Sequence, residues 1–85
     1  MITSYQVLKR GIPKILQTGP KAHREISYKL KELFPEYCDD SVPCPHVKYN
    51  SGHPEWDHLA RSAEQALKRN GLIEYDNHSR KWQLT

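Results

Sequence analysis

Five residues near the middle of the chain have the types that hold a metal: Cys38, Cys44, His46, His53 and His58. Thiolate and imidazole are the ligands a tetrahedral zinc site takes. Their spacing, C-x5-C-x-H-x6-H-x4-H, matches none of the common C-x2-C frameworks, and His53 and His58 do not align on one helix face. A zinc-stabilised DNA-binding domain is therefore a minor reading, and no metal or other cofactor is expected. Glu55 and Asp57 beside His53 and His58 have the composition of a metal-dependent nuclease centre, but acids at a helix start more simply complement the helix dipole. There is no Gly-rich phosphate loop, no G-x-S-x-G and no H-E-x-x-H. No enzymatic activity is expected, and no catalytic residue is assigned.

A second set of residues suits a nucleic acid. Projecting a helix from about Pro54 to Asn70 at roughly 100° per residue puts His58, Arg61, Ser62, Gln65 and Arg69 on one face. Asp57 and Glu64 flank that face, and Trp56, Leu59 or Ala60, Ala63, Ala66 and Leu67 form the buried stripe. The polar, basic face suits phosphate and base-edge contacts, and an ordinary solvated face would have the same pattern. Just upstream, Lys48, Asn50, Ser51, Gly52 and His53 offer a cation and backbone N–H groups at the helix start. Downstream, His78, Ser79, Arg80 and Lys81 load a turn with donors. Trp56 and Tyr49 are the aromatic surfaces that reading a methylated or flipped base requires, although the place of Trp56 in the helical stripe equally makes it a core anchor.

Three helices and a hairpin must position these groups. The first helix is predicted over Ser4 to Gln17, with Ser4 as cap, Tyr5, Leu8, Ile12, Ile15 and Leu16 as its stripe, and a kink or break near Ile12 from Gly11 and Pro13. Thr18-Gly19-Pro20 ends it. Lys21 to His23 is a connector or one-bridge strand, and Arg24 to Phe34 is a second helix closed by Pro35. Glu36 to His53 has no sustained period and reads as a long structured loop. After the third helix stops at Asn70-Gly71, two short apolar segments, Leu72, Ile73 and Tyr75, then Trp82 and Leu84, pair across the polar turn Asp76 to Arg80. The fold class is α+β, a winged helix-turn-helix in one domain over residues 1–85.

Charge is uneven along the chain. The net formal charge is +3, with seven Lys or Arg against two Glu in residues 1–34 and Glu36, Asp39 and Asp40 without a base in residues 35–47. Bringing the two basic segments together leaves the acidic one facing elsewhere. The apolar runs are too short for a membrane span, and the N-terminus lacks a signal-peptide core, so the expected location is intracellular and cytoplasmic.

Tyr5 through the Pro-bearing first helix, His23-Arg24-Glu25-Ile26, and Trp56...Arg61...Ala63...Leu67-Lys68-Arg69-Asn70-Gly71-Leu72-Ile73-Glu74...Trp82-Gln83-Leu84-Thr85 together resemble the N-terminal domain of Mrr-like restriction proteins. The resemblance implies a winged helix that targets a modification-dependent endonuclease to double-stranded DNA, methylated or plain, with the nuclease centre in a separate, fused or associated domain. It places Arg61, Gln65 and Arg69 toward the DNA groove and Arg80 and Lys81 on the wing. The competing class is a protein-interaction winged helix, with Glu36, Asp39 and Asp40 at its interface.

Overall fold

The computed structural model of the chain describes residues 3–42 and 54–85. Its first helix, α1 (Ser4–Leu16), is capped by Thr3 and not by Ser4. The Thr3 hydroxyl accepts from the Gln6 N–H at 3.2 Å, and the Gln6 side chain accepts from the Thr3 N–H at 3.1 Å. This reciprocal capping box satisfies two donors that would otherwise face water. The helix runs unbroken through Pro13, where the sequence predicted a kink or break. Pro13 stands in the last turn, so its missing N–H removes a single backbone bond, and Leu8, Ile12, Ile15 and Leu16 bury a continuous stripe on both sides of it. Gly11 packs closely against Phe34 and Leu30: a Cβ there would stand 2.8 Å from a Phe34 ring carbon.

Gly19, at φ +127°, turns the chain out of α1. Lys21 then makes a single antiparallel bridge to Trp82, donating its N–H at 2.9 Å and accepting at 2.7 Å. Helix α2 (His23–Leu33) begins one residue before the predicted Arg24 and buries Ile26 and Leu30. Pro35 starts one 3-10 turn, Pro35–Tyr37.

Helix α3 (Glu55–Arg69) has Pro54 as its N-cap. Its far end is a Schellman motif, with Gly71 at φ +75°, the Gly71 N–H bonded to the Lys68 carbonyl and the Leu72 N–H bonded to the Leu67 carbonyl, both at 3.0 Å. The reversal delivers the chain into β1 (Ile73–Asp76), which pairs antiparallel with β2 (Lys81–Leu84) in the register Ile73 to Leu84 and Tyr75 to Trp82. The period-2 alternation puts these four side chains on one face of the hairpin. Ile73 and Trp82 are buried, while Leu84 is 40% exposed.

Among the described residues Leu8, Ile12, Ile26, Leu30 and Ile73 are the largest fully buried side chains, and with Trp56, Ala60, Ala63 and Leu67 of α3 they form a core that joins all three helices to the hairpin. Each of the five large side chains contributes about 1.5–3 kcal/mol relative to exposure. Among the described residues the architecture is α+β, three α-helices and a two-stranded antiparallel hairpin. No helix among the described residues is long and apolar enough to cross a membrane. The predicted stripe of α3 is buried at Trp56, Ala60, Ala63, Ala66 and Leu67, with Leu59 half-buried, but Asp57 and Glu64 are buried with it. These two carboxylates shape the site.

Candidate nucleic-acid interface

His23, at the first position of α2, lies between the two buried carboxylates of α3. Its Nδ1 is 2.7 Å from Glu64 Oε2 and its Nε2 is 2.9 Å from Asp57 Oδ1. A neutral imidazole has one N–H and could donate to only one of them, so both contacts together require the imidazolium. Burial alone would lower the His23 pKa, but the hydrogen bonds and charges of Asp57 and Glu64 outweigh it and raise the value to about 9. Burial likewise pushes Asp57 up, and the bonds it accepts from His23, from the Ser27 hydroxyl at 2.8 Å and from Arg61 Nε at 3.3 Å hold it well below the usual carboxylate range.

Ser27, His23 and an acid invite comparison with a nucleophile and its base, since Ser27 Oγ is 3.1 Å from His23 Nε2. The arrangement does not activate the serine. The imidazolium has no lone pair to take a proton, and the serine hydroxyl donates to Asp57. The cluster is a clasp between α2 and α3 that leaves neither carboxylate uncompensated. His23 carried no role in the sequence reading, and its partners lie 34 and 41 positions away.

Beyond the clasp, α3 presents Arg61, Gln65, Lys68 and Arg69 as exposed side chains, with His58 and Ser62 half-buried. Arg61, Gln65 and Lys68 form one wall of a groove of about 390 Å³, and Tyr75 and Trp82 of the hairpin form the other, with His23 and Glu64 also lining it. Lys68 and Tyr75 were not among the predicted contacts. Helical spacing alone assigns a residue an angle, and only the hairpin's position shows that this angle faces a wall.

The turn between the strands is ordered locally. The Asp76 carboxylate accepts from the His78 N–H at 2.9 Å and the Ser79 hydroxyl at 3.1 Å, and these bonds lower its pKa. The Asp76 carbonyl accepts from the Arg80 N–H at 2.7 Å. Arg80 sits at φ 58°, in the left-handed region. His78, Arg80 and Lys81 are exposed.

Trp56 is 8% exposed, and its indole N–H donates to Asp40 at 2.7 Å. The candidate base-reading surface at Trp56 is thus a core anchor, because the helical stripe turns its ring inward and Asp40 satisfies its one polar atom. Asp40 also pairs with Lys31. That holds this part of the acidic segment against α2 and the start of α3, and none of the segment's described residues lines the groove.

Cys38 is buried, and burial first, then Asp40, pushes its thiol up to about 11, away from the thiolate a metal requires. No group of three or more potential ligands that could hold a metal ion forms among the described residues. Lys48, Tyr49, Asn50, Ser51, Gly52 and His53, along with Cys44 and His46, lie outside the described residues. No protein-family model, curated protein or solved structure matches the chain.

Proposed function

We propose that the chain is a winged-helix module that binds double-stranded DNA, with α3 as recognition helix and the β1–β2 hairpin as wing. The element order supports it: helix, one-bridge strand, helix, helix, two-stranded hairpin. The observation that carries the reading is the pairing of a cationic α3 face with the hairpin across one groove. On this reading Arg61 and Gln65 meet base edges in the major groove, while Lys68, Arg69, Arg80 and Lys81 neutralise phosphates. Asp57 and Glu64 would repel a polyanion, and His23 and Arg61 compensate both. Asp57 also holds Arg61 in place, which orients a long side chain before DNA arrives. On the resemblance to Mrr-like proteins, the module directs a restriction-type endonuclease to its target, methylated DNA among the candidates, and cleavage belongs to another domain.

A salt titration of binding to random duplex DNA tests the reading. With roughly four to six phosphates neutralised, log K should fall against log[salt] with a slope of about −4 to −5. A slope near zero, or no binding at low salt, favours the protein-interaction alternative. Arg61→Ala should weaken selected sequences more than random ones, since a base contact is worth about 1–3 kcal/mol. Arg80→Ala should weaken all duplexes alike.

A further inference from the structure

The groove between α3 and the hairpin is built differently from a surface that only reads base edges. One wall carries Tyr75, a ring 36% exposed and held edge-on against Trp82 with centroids 5.0 Å apart and planes at 60°. Opposite it are the exposed Arg61, Gln65 and Lys68. The buried floor adds no uncompensated charge, because Glu64 is engaged by His23 at 2.7 Å. On the DNA-binding reading, a recognition helix in the major groove and a wing beside it straddle one sugar-phosphate strand. A groove between them faces that single strand, and a base reaches it only by rotating out of the duplex.

We infer that this groove receives a nucleobase swung out of the helix, with Tyr75 as its stacking surface, Gln65 reading its edge, and Arg61 and Lys68 on the flanking phosphates. An aromatic ring accepts any base because every base has a π face. A carboxamide both donates and accepts, which suits the mixed Watson–Crick edge that extrusion exposes. The volume of about 390 Å³ lies in the range of small-molecule sites, the size class to which a nucleoside belongs. The inference rests on the DNA-binding reading and replaces Trp56 as the aromatic contact.

The test uses the full chain and two 20-base-pair duplexes carrying 2-aminopurine at the centre, one fully paired and one with the probe mispaired. Extrusion costs least at a mismatch, so the mispaired duplex should bind at least about five-fold more tightly, with a several-fold rise in 2-aminopurine fluorescence on binding. Tyr75→Leu keeps an apolar group against Trp82 but removes the stacking ring. It should abolish the preference and the fluorescence rise, and Tyr75→Phe should retain both signals. Gln65→Ala should lower the preference without changing the melting temperature, which keeps the test decisive if the Tyr75 variant folds poorly. Equal affinity for the two duplexes with no fluorescence change overturns the inference and leaves the DNA-binding reading standing. Failure to bind either duplex at low salt overturns the DNA-binding reading and the inference with it.

Discussion

The same side-chain chemistry occurs twice in this molecule, with opposite consequences. At the α2–α3 junction, an aspartate, a histidine and a serine come together as Asp57, His23 and Ser27, with Glu64 completing the set. In the hairpin turn the trio is Asp76, His78 and Ser79. The first set spans 30 to 41 positions of sequence, is largely shielded from water and converts its histidine into a fixed cation. The second spans two or three positions, is exposed, and uses the histidine's backbone N–H while its ring stays uninvolved in the turn. Burial makes the difference: charges removed from water must find each other, whereas an exposed carboxylate needs only the nearest N–H to shape a turn. One set holds the helices together, and the other shapes the element that presents Arg80.

The largest expected effect comes from breaking the buried set. His23→Leu leaves Asp57 and Glu64 without the cation between them, and removing one partner of a buried ionic cluster costs about 3–5 kcal/mol. That is a large part of the stability of a domain this size, so denaturant unfolding should shift to much lower concentrations. Replacing all three groups, as His23→Leu/Asp57→Leu/Glu64→Leu, should recover most of the loss, because it removes the unpaired charges along with the pairs. A triple variant no more stable than His23→Leu would show that the clasp contributes attraction beyond mutual compensation.

The pH profile separates the two sets without mutation. His23 has its pKa raised from 6.5 to about 9, so between those values the folded state binds a proton that the unfolded state does not. Stability from the clasp is therefore fully present below pH 6.5 and is lost as pH rises through 9, by about 3 kcal/mol at 1.36 kcal/mol per unit. Asp57 has the opposite sign: its pKa is lowered from 3.8, so its contribution is present above that value and is lost as pH falls through the acid range. Unfolding followed at fixed denaturant should show a plateau from about pH 4 to 6.5 with a loss on each side, and His23→Leu should flatten the alkaline limb. An alkaline limb that survives in His23→Leu would mean that other groups carry it.

Packing without charge gives a control between the extremes. Gly11→Ala would place a Cβ 2.8 Å from the Phe34 ring and 3.1 Å from Leu30 Cδ2, and overpacking of that kind costs about 1–3 kcal/mol. The loss should be the same at pH 5 and pH 8.5, in contrast to that of His23→Leu. Differential scanning calorimetry at both values would check it.

The local set could be read from sequence and the long-range set could not. Asp76-Asn77 is a turn signal because the Asp side chain bonds its own backbone two residues on, and Asn70-Gly71 ends a helix because glycine tolerates positive φ. Lys21 to His23 could be read only as a connector or a one-bridge strand, and Lys21 makes the one bridge. Burial of Asp57 and Glu64 did not follow from helical projection, which put both at the edge of the polar face. Whether an edge residue is covered depends on the neighbouring helix, and here the neighbour supplies a histidine. The same limit applies to Tyr75 and Lys68, which become two walls of one groove only when the hairpin folds back on α3. Trp56 could be read either way, and Asp40, sixteen residues upstream, supplies the partner that keeps it inside.

The smallest expected effect tests whether the exposed turn gives up stability for contact. Arg80 has φ 58°, a conformation that costs a residue with a Cβ roughly 1–2 kcal/mol. Glycine adopts it freely, but its unfolded chain has more entropy to lose, by about 0.4–1 kcal/mol. Arg80→Gly should therefore gain up to about 1 kcal/mol, and the bond from the residue-80 N–H to the Asp76 carbonyl should persist because it uses only backbone. The melting temperature should rise by a few degrees while the salt slope of duplex binding falls by about 1, as loss of one phosphate contact would give. A gain in stability with unchanged DNA affinity would place the strained side chain outside the interface. A loss of stability would mean that the Arg80 side chain supports the turn, and the exposed set would then resemble the buried one more closely than its geometry suggests.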